Sequence, residues 1–592
     1  MIGYEDSDDD SASAMLRTRT RLPALGLPIT GRIWAAALAA PALLIVAISA
    51  VRPSIGLVAS SSASAAAETA SVWHGVSLGG WLVMEINPSS LPKDAPLDLR
   101  PQWMYDQLEA NSELDFVTAL REQHGDEYAI ATMRNHWAHY YTDEMIDAAQ
   151  KLGVNAMRIP VGYWIVDAPV GGASAEEYGI SPEGFVTGGL NVLREMLIRL
   201  KARGIEVLLD VHAAPCNSAC VSDGLYCAAP LAFAPAASAA TVGDIPRCGG
   251  GAYPTSRRAE PGAMTWSDVA VNAVGALAQW VAALPEEARC VRAFQLANEP
   301  ALGADAGLGT PPREKEDAVF GFYERALPAA RVHLPTITLM LSFIPATDRV
   351  MAFLQMLDQT DAATDAAANA ATDAATAVAV GAAADPTTGA RDRKGGDSSD
   401  GDARHDGGGA AAAARGTSHL VQASSTSRLV ADHHYYLNFQ TPYNMTWEEI
   451  HRRACSAMDS DHGIGWSAYV AAARRLIIGE WSLAVDHDAK LDLDDEGTRS
   501  HLARLYREQL EVFYTTPGLV GAFFWTLRMG SGWDPRPTEE SPRGRQLPGS
   551  SAWHSLADYP YPVWSLLEMA RLGVAAPLDV SYAGTCRGEA GA

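Results

Sequence analysis

The chain has 592 residues, 48% of them apolar, enough for one large core or several smaller ones. Asp and Glu number 70 against 45 Lys and Arg, a formal net charge of -25. That balance opposes binding to nucleic acid or anionic lipid through a basic face and suits an acidic protein with a neutral ligand.

Residues 1–32 hold the acidic run EDSDDD and then Arg17, Arg19, Arg21 and Arg32. An uncharged apolar stretch follows over residues 33–51. It is long enough to cross a bilayer as a helix, and longer than the core of a usual cleaved signal. The arginines on its N-terminal side place residues 1–32 in the cytosol. The expectation is a single-pass type II signal anchor in the cell membrane, a linker over 52–71 and an extracellular domain over 72–580. The alternative is a secreted protein, cleaved in the small-residue run ASSSASAAAETA.

From residue 72 onward, apolar runs alternate with amphipathic stretches. The strand candidates are 75–83, 155–162, 206–212, 291–298, 336–343, 429–436, 475–481 and 521–528. Most are continuously apolar, as parallel strands covered on both faces are. Helices fit between them. TDEMIDAAQKLG (142–153) opens on a Thr cap and closes on Gly153; LNVLREMLIRLKARG closes on Gly204; GTRSHLARLYREQLEVFYTTPG is a third. Eight such units in one continuous domain predict an α/β fold, a (β/α)8 TIM barrel.

Two segments stand outside the repeat. Residues 213–262 form an enlarged Cys-, Gly-, Ala- and Pro-rich loop. Residues 358–428 are low in complexity and poor in large apolar side chains, so a disordered insertion is expected there. Of the seven cysteines, Cys216, Cys220, Cys227 and Cys248 cluster in the first segment. On a secretory route they read as disulfides; the spacings lack the paired C-x-x-C of a zinc site. Cys290, Cys455 and Cys586 complete the set, and the odd count leaves at least one thiol free. Asn444-Met445-Thr446 is an N-glycosylation sequon.

The C-terminal strand ends of such a barrel carry its site, and polar residues collect there. Glu85 follows strand one, Arg158 ends strand two and His212 strand three. Asn298 and Glu299 end strand four, His434 and Tyr436 strand six, Glu480 strand seven, and Trp525 sits on strand eight. His433, by alternation, points away from His434. Taken singly, Glu299 before Pro300 is an ordinary loop residue. Together, Glu299 and Glu480 leave facing strands and enter one bowl. Paired carboxylates across a cleft are what glycoside hydrolysis needs: one protonated to donate to the leaving oxygen, one ionised to attack the anomeric carbon. Their proximity raises the pKa of one, and Arg158 keeps the other ionised. Trp525 offers a flat face to a sugar ring, and Asn298 a hydrogen bond to a ring hydroxyl.

The motifs GVSLGGWLVMEINPS, HWAHYYTDEMIDAAQKLGVNAMRIPVGYW, DVHAAP, NEP, DHHYY and GEWS stand in this order. Together they resemble the fungal-type exo-β-1,3-glucanases of glycoside hydrolase family 5, over most of residues 75–570 apart from the two insertions. The resemblance implies Glu299 as acid/base and Glu480 as nucleophile. It implies Asn298 on the 2-hydroxyl, with Arg158, His212, His434 and Tyr436 orienting the carboxylates. It also implies Glu85 on the terminal glucose, Trp525 stacked beneath it and Phe439 gripping the next sugar. The sequence departs from the family at Cys216, where a glycine is usual, at the LSFIP end of strand five, and at Asp488, where some relatives place a disulfide cysteine. The reading is a membrane-anchored, monomeric retaining β-glucosidase acting on β-1,3-glucan. No metal or organic cofactor is implied. Other family-5 specificities (β-1,6-glucan, glucosylceramide, cellulose-type) and a catalytically silent glucan-binding barrel are the alternatives.

Overall fold

In the computed structural model the described residues are 72–84, 113–175, 177–178, 184–214, 245–246, 252–253, 266–300, 313–343, 347–363, 428–437, 445–456, 475–485, 491–529, 533–546, 562–577 and 584–586. The expected anchor and linker, Glu85, Phe439, Asn444 and the four clustered cysteines lie outside them. Among the described residues no helix is long and apolar enough to cross a membrane.

Eight strands close a barrel: β1 (Trp73–Ser77), β2 (Ala156–Gly162), β3 (Glu206–Ala213), β4 (Val291–Gln295), β5 (Thr338–Ser342), β6 (Leu429–Tyr435), β7 (Leu476–Trp481) and β8 (Leu519–Phe524). Every neighbouring pair is parallel, and β8 closes on β1 through Trp73 opposite Gly521. All eight expected strands form, so the TIM barrel is the observed fold. Several placements differ: β4 stops at Gln295, so Asn298 and Glu299 follow the strand, and Tyr436 lies one past β6. β8 stops at Phe524, so Trp525 lies just past the strand rather than on it. Arg158 sits inside β2 rather than at its end.

Helices cover the barrel as their patterns dictate. In the helix Asp143–Lys151, Met145, Ile146 and Ala149 share the buried face, Thr142 is the extended N-cap, and acidic residues fill the first turn. Gly153 then takes φ 87°, a left-handed value that a side chain resists. Each large apolar side chain buried this way contributes about 1.5–3 kcal/mol as an upper value. The helix over residues 348–363 reaches into the expected disordered insertion. Its Asp361 pairs with Arg331 at 3.1 Å and accepts the Arg428 backbone N–H at 2.8 Å. Residues 358–363 therefore belong to the barrel's helical coat. Within the Cys-rich segment, residues 245–246 and 252–253 pair antiparallel.

Cys455 and Cys586 form a disulfide, and Cys290 is a buried free thiol whose pKa burial pushes up to about 12.

The barrel interior is stacked in layers. Trp73, Ala156, Leu208, Ala293, Met340, Val430, Ile477 and Phe523, one from each strand, pack into a separate apolar cluster. This plug is the floor on which the polar residues stand.

Candidate active site

Two residues above the floor, strand alternation brings the next inward side chains: Arg158 above Ala156, Asp210 above Leu208, Gln295 above Ala293, Ser342 above Met340 and Asp432 above Val430. All five are buried. One further step places His212 above Asp210 and His434 above Asp432. On β7, strict alternation from Ile477 would aim Gly479 inward and Glu480 outward. The β6–β7 register shifts between His433 and His434, which turns Glu480 into the bowl. Gly479 is required there, since a Cβ would meet Asp432 Oδ1 at 2.2 Å.

Arg158 is the hub. Its Nη1 donates to Glu480 Oε1 at 2.6 Å, its Nη2 to Asn298 Oδ1 at 2.8 Å and its Nε to Gln295 Oε1 at 3.0 Å. Asp210 Oδ2 lies 2.9 Å from Nη2. The Tyr436 hydroxyl donates to the other Glu480 oxygen at 2.6 Å. Burial by itself would raise the Glu480 pKa. The charges of His434, Arg158 and His212 and the Tyr436 hydrogen bond outweigh burial and hold it below the usual carboxylate value. Burial and the Glu480 charge push the Tyr436 phenol well up, so it stays a donor.

Glu299 is the one described non-glycine residue with positive φ, at 36°. Such a backbone costs about 1–3 kcal/mol and is kept only where surroundings impose it. Here the chain must leave β4, present a carboxylate to the bowl and enter Pro300. His434 Nδ1 meets Glu299 Oε1 at 2.5 Å and lies 3.4 Å from Glu480 Oε2. A carboxylate oxygen of Glu299, one of Glu480 and a His434 ring nitrogen all lie within 4.8 Å of one another. Atoms so spaced would also suit a cation, but the Arg158 guanidinium already supplies the positive charge against Glu480, and Tyr436 takes the second oxygen.

The structure thus brings Arg158, His212, Asn298, Glu299, His434, Tyr436, Glu480 and Trp525 into one site. The Trp525 ring stacks on the His212 imidazole at 5.5 Å between centroids, with the Arg158 guanidinium carbon 5.7 Å from its centre. His433 is directed elsewhere, and burial drops its pKa to about 4. Three supporting residues were not among the expected ones: Asp210, Gln295 and Asp432. Each aspartate precedes a site histidine by two positions. That Asp-x-His spacing on a strand is the signal that would have found them.

The family model described as cellulase (glycosyl hydrolase family 5) matches residues 121–511, more than half of the chain. A probable glucan 1,3-beta-glucosidase A of Aspergillus clavatus is 32% identical over 146 residues, 24% of this chain and 28% of that protein. A glucan 1,3-beta-glucosidase of Candida oleophila is 30% identical over 149 residues, covering 24% and 29%. The match spans less than a third of the length of either relative. Among solved structures, a rutinosidase from Aspergillus niger is 13% identical with a TM-score of 0.47, covering 85% of this chain and 98% of that one.

Proposed function

The chain belongs to glycosyl hydrolase family 5, and from that premise we propose that it removes glucose from β-1,3-glucan or a related β-glucoside with retention of configuration. The observation that carries this reading is that one carboxylate oxygen of Glu299 and one of Glu480 lie within 4.8 Å of each other. Retaining enzymes hold their carboxyl groups ~5–5.5 Å apart, whereas inversion leaves ~6.5–9.5 Å for a water.

Glu480 is the nucleophile in this reading, because Arg158 and Tyr436 keep its carboxylate ionised and aimed. Its oxygen attacks the anomeric carbon, and the departing oxygen takes a proton from Glu299. Water then attacks the same carbon, Glu480 leaves as carboxylate, and the water's proton returns to Glu299. Asn298, fixed by Arg158, binds the 2-hydroxyl. Trp525 lies beneath the sugar, and Glu85 and Phe439 contact the terminal and following glucose by the family resemblance. The relatives named glucan 1,3-beta-glucosidases favour a β-1,3-linked substrate. The sequence departs from the family pattern at Cys216 and through the Cys-rich segment that follows it, and this departure favours a second reading with another β-glucoside specificity.

Hydrolysis of laminarin, pustulan, cello-oligosaccharides and glucosylceramide, with Glu480→Gln as control, separates these readings. Laminarin as the best substrate is expected; no turnover of any of them overturns the assignment. We also place the catalytic domain outside the cell, on an anchor over residues 33–51. The support is the arginine-flanked apolar run, and it predicts a full-length chain that resists alkaline extraction from membranes. Release of a chain beginning near residue 60–70 would instead mean cleavage.

A further inference from the structure

His434 is bracketed by three carboxylates. Nδ1 faces Glu299 Oε1 at 2.5 Å and Glu480 Oε2 at 3.4 Å, while Nε2 faces Asp432 Oδ2 at 3.0 Å. A neutral imidazole has one N–H and one lone pair, so it would turn the lone pair toward a carboxylate on one side unless Glu299 or Asp432 held the proton, and a proton on Glu299 is one shared with the ring across the 2.5 Å contact. Asp432 is poorly placed to relieve this by taking a proton. Its Oδ1 accepts the Gly479 N–H at 3.0 Å and its Oδ2 the Gln295 amide at 3.0 Å, and its side chain is fully buried. Asp432 acts on the ring through this close Nε2 contact and its negative charge.

We infer that Asp432 is a positioning residue for the glycosidase reaction: through His434 it holds a cationic imidazole against Glu299, and the proton given to the leaving oxygen is stored in that Glu299–His434 pair. This rests on the retaining-glycosidase reading and deepens it. In the first step a Glu480 oxygen bonds to the anomeric carbon and the glycosidic C–O bond breaks toward the leaving oxygen. That oxygen takes a proton from Glu299, which is replenished at Oε1 from His434 Nδ1. In the second step water bonds to the anomeric carbon, the ester bond breaks toward Glu480, and the water's proton returns to the pair.

The other charged and titratable groups around the ring are consistent with this. Arg158, from β2, is paired to Glu480 and Asp210. His433 is held neutral by burial at a pKa of about 4. Tyr436 is a neutral donor to Glu480, and His212, from β3, is turned toward Asp210 at 2.7 Å. Burial would lower the His434 pKa, but the charges of Glu480, Asp432 and Glu299 outweigh it and hold the ring well above its ordinary value. Burial likewise opposes ionisation of Asp432, and the charges of His434 and Arg158 overcome it.

The test is Asp432→Asn in the full chain, assayed with a phenyl and a 2,4-dinitrophenyl β-glucoside across pH. Removing the charge should move the alkaline limb of kcat/KM for the phenyl substrate down by about 1–3 pH units. At neutral pH that substrate should slow by about tenfold or more, because its leaving group needs the proton. The dinitrophenyl burst needs no proton and should change by less than about threefold on the same ground. Asp210→Asn, which alters the other Asp-x-His pair, should leave the alkaline limb where it is. Equal losses on both substrates with an unmoved limb overturn the inference and leave Asp432 a structural residue. A wild-type chain inactive on every β-glucoside fails the functional reading instead. Histidine 15N spectra of the wild type, with His434 assigned from His434→Gln, need neither activity nor a folded Asp432 variant. A cationic ring at pH 7 is expected, and a neutral one overturns the inference.

Discussion

Arg158 and Glu480 meet at 2.6 Å with the arginine side chain fully buried and the glutamate 7% exposed. Neither has water to turn to, so each depends on the other. The same guanidinium holds Asn298, Gln295 and Asp210. Arg158→Lys keeps the charge but cannot make these contacts together. With Glu480 depressed, its ionised form persists down to its folded pKa. The acid limb of wild-type kcat/KM should therefore lie below the ordinary glutamate value of about 4.3. In stability terms the pair's contribution is present above that value and lost as pH falls through the folded one. Arg158→Lys should raise the acid limb and lower kcat; a limb unmoved by the substitution would count against this role for Arg158.

Glu113 makes a prediction of opposite sign. It starts the helix Glu113–His124, is fully buried and accepts the Met84 N–H at 3.0 Å. Burial raises its pKa to about 8, against the hydrogen bonds from Met84 and Trp164. The folded carboxyl holds a proton that the unfolded chain releases near pH 4.3, so this group's contribution falls as pH rises from about 4.3 to about 8. Glu113→Gln removes the titration and keeps an acceptor for Met84. Its Tm should gain on wild type across that window and stay ahead above it. A Tm difference that is flat with pH would mean Glu113 ionises freely in the fold.

Much of this was legible in the sequence because the signals were local. All eight barrel strands appear as apolar runs, and both glutamates stand at the ends of such runs. The layer beneath was harder to read. Asp210, Gln295 and Asp432 are polar residues inside apolar strands, and they make sense only once a closed barrel brings Arg158 and two histidines above one floor. Glu480 shows the limit of alternation, which counts from Ile477 and aims it outward until the register shift beside Gly479 is included. The boundary at residue 358 misled for another reason. Composition changes there, but Asp361 is tied back to Arg331 and Arg428 by long-range contacts that composition does not register.

The Cys455–Cys586 disulfide closes a loop with a sequence separation of 131. It ties the helix Trp447–Cys455 to a C-terminal turn whose Gly584 and Cys586 N–H groups donate to Glu511. A crosslink over so long a loop restricts the unfolded chain, and losing it costs about 2–5 kcal/mol. Cys455→Ser should lower the denaturation midpoint accordingly, with the slope of aryl-glucosidase activity against pH unchanged. Wild type in reductant should match the variant. A midpoint that does not move would mean the bridge adds nothing to stability.

The short separation between Glu299 and Glu480 makes the last prediction stereochemical. A double displacement through a Glu480 ester gives a β-configured first product, and a single displacement by water gives α. NMR of the first-formed sugar should show the β-anomer. Glu480→Gln cannot form the ester, so it should lose about 10⁴-fold or more in kcat, a magnitude typical of losing a reacting group, and azide should not restore a β-product. Glu299→Ala should behave differently. An activated aryl glucoside needs no proton to depart, so the variant should still load the enzyme and then stall for want of a base. Azide, needing no base, should relieve the stall and yield a β-glucosyl azide. An α-anomer from the native enzyme would show that water reaches the anomeric carbon directly, and the roles given to both glutamates would fall together.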